Sequence, residues 1–186
     1  NSFWNKMRLC NVHFTLTGFI IFWLFAFGTN SNSTFASERV NKSTFLKADH
    51  VVVLKSKRRM VLMKNDFVLK VYVIALGRYP KGPKRYKGDA KTPEGNYILD
   101  YKIRDSDFYR GIRINYPNIR DIAYARKAGK EPGDKIVIHG LPNKMTAERV
   151  GHPVLDWTQG CIAVTNKQMD EIWKMVNVGT PIEIHP

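Results

Sequence analysis

Residues 49–76 read DHVVVLKSKRRMVLMKNDFVLKVYVIAL and decide the class of fold that this chain adopts. Valine, leucine and isoleucine recur along the stretch, and such residues favour extended strands. The turn-forming triplet Lys64-Asn65-Asp66 interrupts it, which predicts two or three strands joined by tight turns. The folded unit therefore begins as β-sheet.

The pattern after this opening predicts more strands and little helix. Met169 and Ile172 fall at helical spacing behind a capping Thr165, which predicts a helix over residues 166–176. Residues 121–127 are a second, shorter candidate. Strands and helices do not alternate, which argues against a doubly wound sheet and favours a mainly β domain with peripheral helices. The further predicted strands are residues 96–103, 111–116, 135–139 and 180–185.

A long loop separates the opening strands from the rest of the predicted sheet. Residues 77–95, GRYPKGPKRYKGDAKTPEG, are rich in glycine and proline, and long ordered loops in compact domains are often functional. The basic side chains here can hold an anionic polymer or substrate carboxylates, although a charge run more often forms only a solvated surface. These side chains are Lys81, Lys84, Arg85 and Lys87.

The N-terminal region has the layout of an export signal. Lys6 and Arg8 precede the apolar run FTLTGFIIFWLFAF, and a polar stretch with small residues follows. The run is shorter than the ~20 residues that span a bilayer as a helix, so a cleaved signal is favoured over a permanent anchor. We expect a signal peptide over residues 1–36, a linker over residues 37–48 and a periplasmic or cell-envelope location.

The strong positive charge calls for an anionic neighbour. Thirty basic residues stand against sixteen acidic residues, a formal net charge of +14. Nucleic acid and an acidic envelope polymer both fit this charge. The chain has no zinc-finger spacing, basic heptad region or RNA-binding signature, and export argues for the envelope polymer. No nucleic-acid partner is expected.

Export also changes how the two cysteines are interpreted. Removal of the signal removes Cys10 and leaves Cys161 without a partner for a disulfide. An unpaired cysteine is often a small buried hydrophobic residue. The alternative is a nucleophile, and its neighbours decide between the two.

Two short segments hold the residues that can carry chemistry. Ile138-His139-Gly140 lies at the exit of a predicted strand, and DWTQGCI occupies residues 156–162. A histidine within reach of Cys161 would accept its proton, because a free thiol is mostly protonated at neutral pH. Gly160 lets the backbone bend, and the amides of Gly160 and Cys161 can face a developing oxyanion, each donor contributing about 3 kcal/mol.

These segments resemble the active-site signature of the L,D-transpeptidase catalytic domain, also called the YkuD domain. His139-Gly140 is followed by seventeen residues and then by Thr158-x-Gly160-Cys161, which is within the spacing of that family. The opening strands and the stretch GDAKTPEG are also similar to it. The resemblance covers residues 49–186 and implies a β-sandwich or barrel with one or two peripheral helices.

Two positions depart from the family's usual residues. Gln159 stands where a histidine usually precedes the Gly-Cys pair, and Ala163 stands where many members have arginine. The resemblance makes His139 and Cys161 catalytic, and it gives Gly140, Thr158, Gln159 and Gly160 site-shaping roles. The base is therefore retained while a supporting group differs, and the change at Ala163 leaves the donor substrate open.

The resemblance implies acyl transfer on peptidoglycan stem peptides without a cofactor. Cys161 would attack the L-centre carbonyl of a diaminopimelate residue, release the terminal D-alanine and hold the stem as a thioester. An amine of a neighbouring stem or of a wall-attached lipoprotein would resolve it. Water in that role would make the protein an L,D-carboxypeptidase or amidase.

Two further alternatives concern binding without this chemistry. A non-catalytic wall-binding module would keep the fold, and the departure at Gln159 is compatible with it. The retention of both His139 and Cys161 argues for the enzyme, since a binding module has no need of an exported thiol. A metal site is not expected, because His139, His152 and Cys161 match no zinc-ligand spacing.

Overall fold

The structure, a computed structural model, describes residues 46–186. The expected signal peptide over residues 1–36 lies outside the described residues, and so does most of the expected linker. Within residues 46–186, no helix has both the length and the apolar character needed to cross a membrane.

Eight strands and three helices account for the regular structure of the described residues. The strands are β1 His50–Leu54, β2 Arg59–Lys64, β3 Phe67–Val73, β4 Gly95–Ser106, β5 Tyr109–Ile114, β6 Val137–His139, β7 Ile162–Ala163 and β8 Thr180–His185. The helices are α1 Ile119–Lys127, α2 Ala147–Val150 and α3 Asn166–Met175.

The strands form one curled sheet in the order β3-β2-β1-β8-β4-β5-β6-β7. Ala75, just after β3, bridges to Ala163 of β7, and the amide of each donates to the carbonyl of the other at 3.0 and 2.8 Å. The two edges of the sheet therefore meet, which gives it the barrel-like form expected from the resemblance. The mainly β fold class is confirmed.

The core lies inside the curl and is closed by α3. This helix buries Met169, Ile172 and Met175 in the same apolar cluster as the inward side chains of the sheet. Its start is fixed by a capping box, in which Thr165 accepts from the Gln168 amide and the Gln168 side chain accepts from the Thr165 amide. The predicted helix with its Thr165 cap is therefore present.

The structure corrects the expected number of helices from one or two to three. The additional helix, α2, has four residues, with Thr146 accepting from the Arg149 amide and Gly151 ending it at φ 73°. A helix this short shows no apolar period in the sequence. The strand β7 has two residues and was not predicted either.

The pairing of β6 with β7 positions the candidate catalytic pair. The two strands are parallel, with Ile138 opposite Ile162 and His139 opposite Ala163. Residues two apart along a strand point to the same face, so Cys161 shares a face with Ala163 and His139. The seventeen-residue spacing between the two motifs thus serves to return the chain beside β6.

Candidate active site

His139 is buried at the end of β6 with one ring nitrogen already engaged. It is 4% exposed, and its Nδ1 lies 2.7 Å from the carbonyl oxygen of Gly140. A carbonyl can only accept, so Nδ1 carries the proton and donates it to this hydrogen bond. Nε2 is therefore the nitrogen that can accept a proton from a nucleophile.

Burial determines the charge state of His139. It lowers the pKa of the imidazole to about 4, and the neighbouring His152 lowers it further, while the Gly140 carbonyl opposes the shift. The ring is neutral at neutral pH, which is the form that acts as a general base. The aromatic rings of Phe108 and Trp157 pack on it, with centroids 4.6 and 5.7 Å away.

Protonation of His139 is expected to destabilise the fold in acid. The pKa is about 4 in the folded protein against 6.5 for an ordinary histidine, so the unfolded chain binds the proton more readily between these values. The stabilisation is complete above pH 6.5 and is lost as the pH falls towards 4. The loss amounts to about 3 kcal/mol, since one pKa unit corresponds to about 1.4 kcal/mol.

Urea unfolding at pH 7 and pH 4 measures this effect. Carboxylates titrate in the same window, so the comparison is with His139→Gln, which lacks only the imidazole. The wild type should lose about 3 kcal/mol more than the variant between the two pH values. An equal loss in both proteins would show that His139 is not the group responsible.

Cys161 follows a glycine whose conformation no other residue could adopt without strain. Gly160 has φ 131°, and a Cβ built on it would lie 2.5 Å from the backbone oxygen of Lys91. The Cys161 thiol lies 3.5 Å from the carbonyl oxygen of Lys135. Burial raises the pKa of this thiol, and the Val137 amide and the Lys84 ammonium only partly oppose it. The resting side chain is therefore a protonated thiol, which would need a base to act as a nucleophile.

Gly160→Ala should destabilise the protein by more than 3 kcal/mol, because a disfavoured φ and a backbone clash add together. Gly88→Ala is the matched control, since Gly88 has φ 85° and nothing lies within 4 Å of its added Cβ. That control should lose only about 1–2 kcal/mol from the strained φ. Urea unfolding of both variants decides the matter, and equal losses would contradict the clash.

Thr158 organises the turn that contains Cys161. Its hydroxyl donates to the Cys161 carbonyl at 2.8 Å and accepts from the Gly160 amide at 3.1 Å. The Gly160 amide, which we expected to face an oxyanion, is thus directed at Thr158. Gly140 has a related role, because a Cβ there would lie 2.6 Å from the Asn166 oxygen that accepts from the Leu141 amide.

His139 and Cys161 line the same cavity, which has a volume of about 740 Å³. Gln159 lines it as well, so the residue that departs from the family faces the space where a substrate would bind. Most of the wall is apolar. The apolar lining residues are Ile103, Phe108, Val137, Pro142, Met145, Val150 and Trp157.

The loop over residues 77–95 is held in place by buried charge. The Asp89 carboxylate accepts from the Lys84 ammonium at 2.8 Å and from the amides of Arg85, Tyr86 and Lys91. Burial alone would raise the pKa of Asp89, but these donors outweigh it and hold the pKa below its usual range. Lys84 is 5% exposed, so it is not available to hold a polymer.

Two ion pairs that support the site were missed by sequence reasoning. The Lys55 ammonium is buried and donates to Glu94 at 2.8 Å and to two loop carbonyls. Asp156 accepts from the Arg58 side chain and, at 2.9 Å, from the Leu76 amide. Both pairs join residues far apart in the sequence, so no local sequence pattern predicts them.

His152 lies between the two sequence motifs that hold His139 and Cys161. It lies directly after α2 and is buried, at 6% exposure. Among the described residues, no group of three histidine, cysteine, aspartate or glutamate side chains is placed to hold a metal ion.

Comparisons with known proteins show which family and fold the chain resembles. The chain is similar to the Escherichia coli K12 protein YafK, whose name assigns it provisionally to the L,D-transpeptidases. The two are 30% identical over 155 residues, which cover 80% of this chain and 55% of YafK. The chain thus spans about half the length of the curated relatives it matches.

Solved structures show the same fold. A variant of the helical cell shape determining protein Pgp2 from Campylobacter jejuni is 25% identical with a TM-score of 0.57, covering 75% of this chain and 47% of that one. Bd1075 of Bdellovibrio bacteriovorus is 22% identical with a TM-score of 0.51, covering 75% and 48%. The family model of the L,D-transpeptidase catalytic domain matches residues 48–184, and the chain therefore belongs to the L,D-transpeptidase (YkuD) family.

Proposed function

We propose that this protein is a cysteine-dependent L,D-transpeptidase that acts on peptidoglycan stem peptides through a thioester at Cys161. The observation that carries the proposal is the placement of a neutral histidine, at the end of β6, and a thiol, just before β7, in the lining of one cavity. Family membership supports peptidoglycan as the substrate. The reaction then takes place in the cell envelope.

In the first half of the reaction, His139 Nε2 takes the thiol proton as Sγ of Cys161 bonds to the L-centre carbonyl carbon of diaminopimelate. The proton then passes from the imidazolium to the nitrogen of the terminal D-alanine. The C–N bond breaks, D-alanine leaves as the free amino acid, and the stem remains as a thioester.

In the second half, an amine attacks the thioester carbonyl and its proton passes through His139 back to the sulfur. A new amide bond forms and the thiol is restored. A neighbouring stem or a lysine of a wall-attached lipoprotein can supply the amine. Water in the same position would give the hydrolytic product of an L,D-carboxypeptidase or amidase.

The surroundings of His139 suit this transient role. Burial disfavours the imidazolium, while the Gly140 carbonyl accepts the Nδ1 proton and supports the charged form during the step. The Gly160 amide donates to Thr158. We therefore assign the oxyanion chiefly to the Cys161 amide. Gln159 can hydrogen-bond the substrate without adding a second titrating group.

Intact mass spectrometry after incubation with a disaccharide-tetrapeptide tests the proposal. The wild type should gain the mass of the stem less D-alanine, and free D-alanine should appear. The ratio of cross-linked dimer to tripeptide separates transpeptidation from hydrolysis. If neither adduct nor product forms over a range of pH, the acyl-transfer function is wrong and the wall-binding module gains support.

A further inference from the structure

One charged residue stands out in the wall of the apolar cavity around Cys161. Among the described residues that line this cavity, Lys135 is the one that is charged at neutral pH, because burial keeps His139 neutral. An ammonium at this position can form a charge-assisted hydrogen bond with an anionic group that enters the cavity. The position of Lys135 therefore raises the question of which anion it meets.

The backbone places Lys135 next to the nucleophile. Lys135 has φ 53°, which is not an extended conformation, and β6 begins two residues later at Val137. The carbonyl oxygen of Lys135 lies 3.5 Å from Cys161 Sγ. The residue is exposed, and no hydrogen bond or ion pair joins its side chain to the rest of the described chain. An extended lysine side chain reaches about 6 Å from its Cα, as standard bond lengths imply.

The substrate of the proposed reaction carries a carboxylate at a matching distance. The leaving D-alanine ends in a carboxylate whose oxygens lie about 5 Å from the scissile carbonyl carbon, by standard bond lengths. A thiol that attacks this carbon thus brings the carboxylate within reach of a lysine that neighbours the sulfur.

We propose that Lys135 is a specificity-determining residue that binds the terminal carboxylate of the leaving D-alanine. This inference rests on the proposed function. The contact would select stems that end one residue beyond the scissile bond, because an internal peptide bond has no carboxylate there. Lys135 takes no part in proton transfer.

The test compares a tetrapeptide stem with the same stem ending in D-alanine carboxamide, for the wild type and Lys135→Met. With the free acid, the variant should show a kcat/KM about tenfold to a hundredfold lower, carried mainly by KM, since a hydrogen bond to a charged group is lost. With the carboxamide, wild type and variant should be equal. Lys135→Arg should restore most of the activity on the free acid.

Controls separate this contact from a structural role. Lys127→Met removes an exposed ammonium outside the cavity lining and should behave as wild type with both substrates. Lys135→Met should keep a urea midpoint close to that of the wild type, because its side chain is exposed.

Two outcomes would overturn the inference. One is an equal loss of kcat/KM by Lys135→Met on the free acid and on the carboxamide. The other is that the effect of Lys135→Met disappears with a stem amidated at the diaminopimelate side-chain carboxylate, which would show that Lys135 binds that group instead. Calorimetric binding of acid and carboxamide to Cys161→Ala, with and without Lys135→Met, gives the same comparison without turnover. A wild type that turns over no stem contradicts the proposed function. If Lys135→Met changes the affinity for the free acid and for the carboxamide equally, the role of Lys135 is contradicted.

Discussion

Replacing Cys161 by alanine is expected to lower kcat/KM for D-alanine release by about 10⁴-fold or more, since loss of a catalytic nucleophile has effects of this size. The mass adduct should disappear completely, because Cys161 is the one cysteine among the described residues that line the cavity. Cys161→Ser should be almost as inactive, since the hydroxyl is far less acidic than the thiol. Stopped assays with the tetrapeptide stem and intact mass spectra measure both variants.

The loss in Cys161→Ala should come from chemistry and not from unfolding. The thiol contacts the Lys135 carbonyl at 3.5 Å and the Val137 amide, and its removal leaves the Thr158 hydrogen bonds in place. Its urea midpoint should therefore stay close to that of the wild type. Turnover within tenfold of the wild type would show that Cys161 is not the nucleophile, and the thioester mechanism would be wrong.

The strands could be predicted because their apolar residues announce them directly. Residues 180–185 were predicted as a strand and form β8, and the turn predicted at Lys64-Asn65-Asp66 joins β2 to β3 with positive φ at Asn65 and Asp66. At these places the local preference for a strand agrees with the burial of the side chains, so one sequence is enough to predict the strand. The predicted strand over residues 135–139 starts two residues late, because Lys135 adopts a left-handed φ that its sequence does not reveal.

The elements that hold the site together depend on long-range contacts, and for that reason they were missed. The two-residue strand β7 exists because Ala163 pairs on one side with His139 and on the other with Ala75. Lys55 follows an apolar strand and lies next to other basic residues, yet it is buried against the carboxylate of Glu94, 39 residues away. Burial of a paired charge depends on the assembled fold, so neither the residue periodicity nor the motif spacing of the sequence predicts it.

The loop over residues 77–95 packs against the turn that contains Gly160 and Cys161. The backbone oxygen of Lys91 lies so close to Gly160 that no side chain fits there, and Gly77 is packed against both Ala90 and Gly160. The Asp89 carboxylate orders the same loop through four donors. The GDAKTPEG stretch therefore packs directly against the turn that contains Cys161 and limits its conformation.

His139→Gln is expected to lower kcat/KM by about 10²- to 10⁴-fold at pH 7, the range for loss of a general base. Burial raises the pKa of the Cys161 thiol, so little thiolate forms without the imidazole to take the proton. His152→Gln is the matched control, since His152 is a second buried histidine and does not line the cavity. That control should stay within a few-fold of the wild type. Retention of activity within tenfold by His139→Gln would contradict the base role.

The pH dependence separates the loss of a base from a loss of shape. His139 is protonated only near pH 4. The wild-type kcat/KM should therefore be level from about pH 5 to pH 8 and fall below that range. In His139→Gln the acid limb should disappear, and the rate should rise tenfold per pH unit into the alkaline range as thiolate forms, because a thiolate no longer needs a base. A variant that is equally inactive at pH 7 and pH 10 while still folded would mean that His139 shapes the site without carrying the proton.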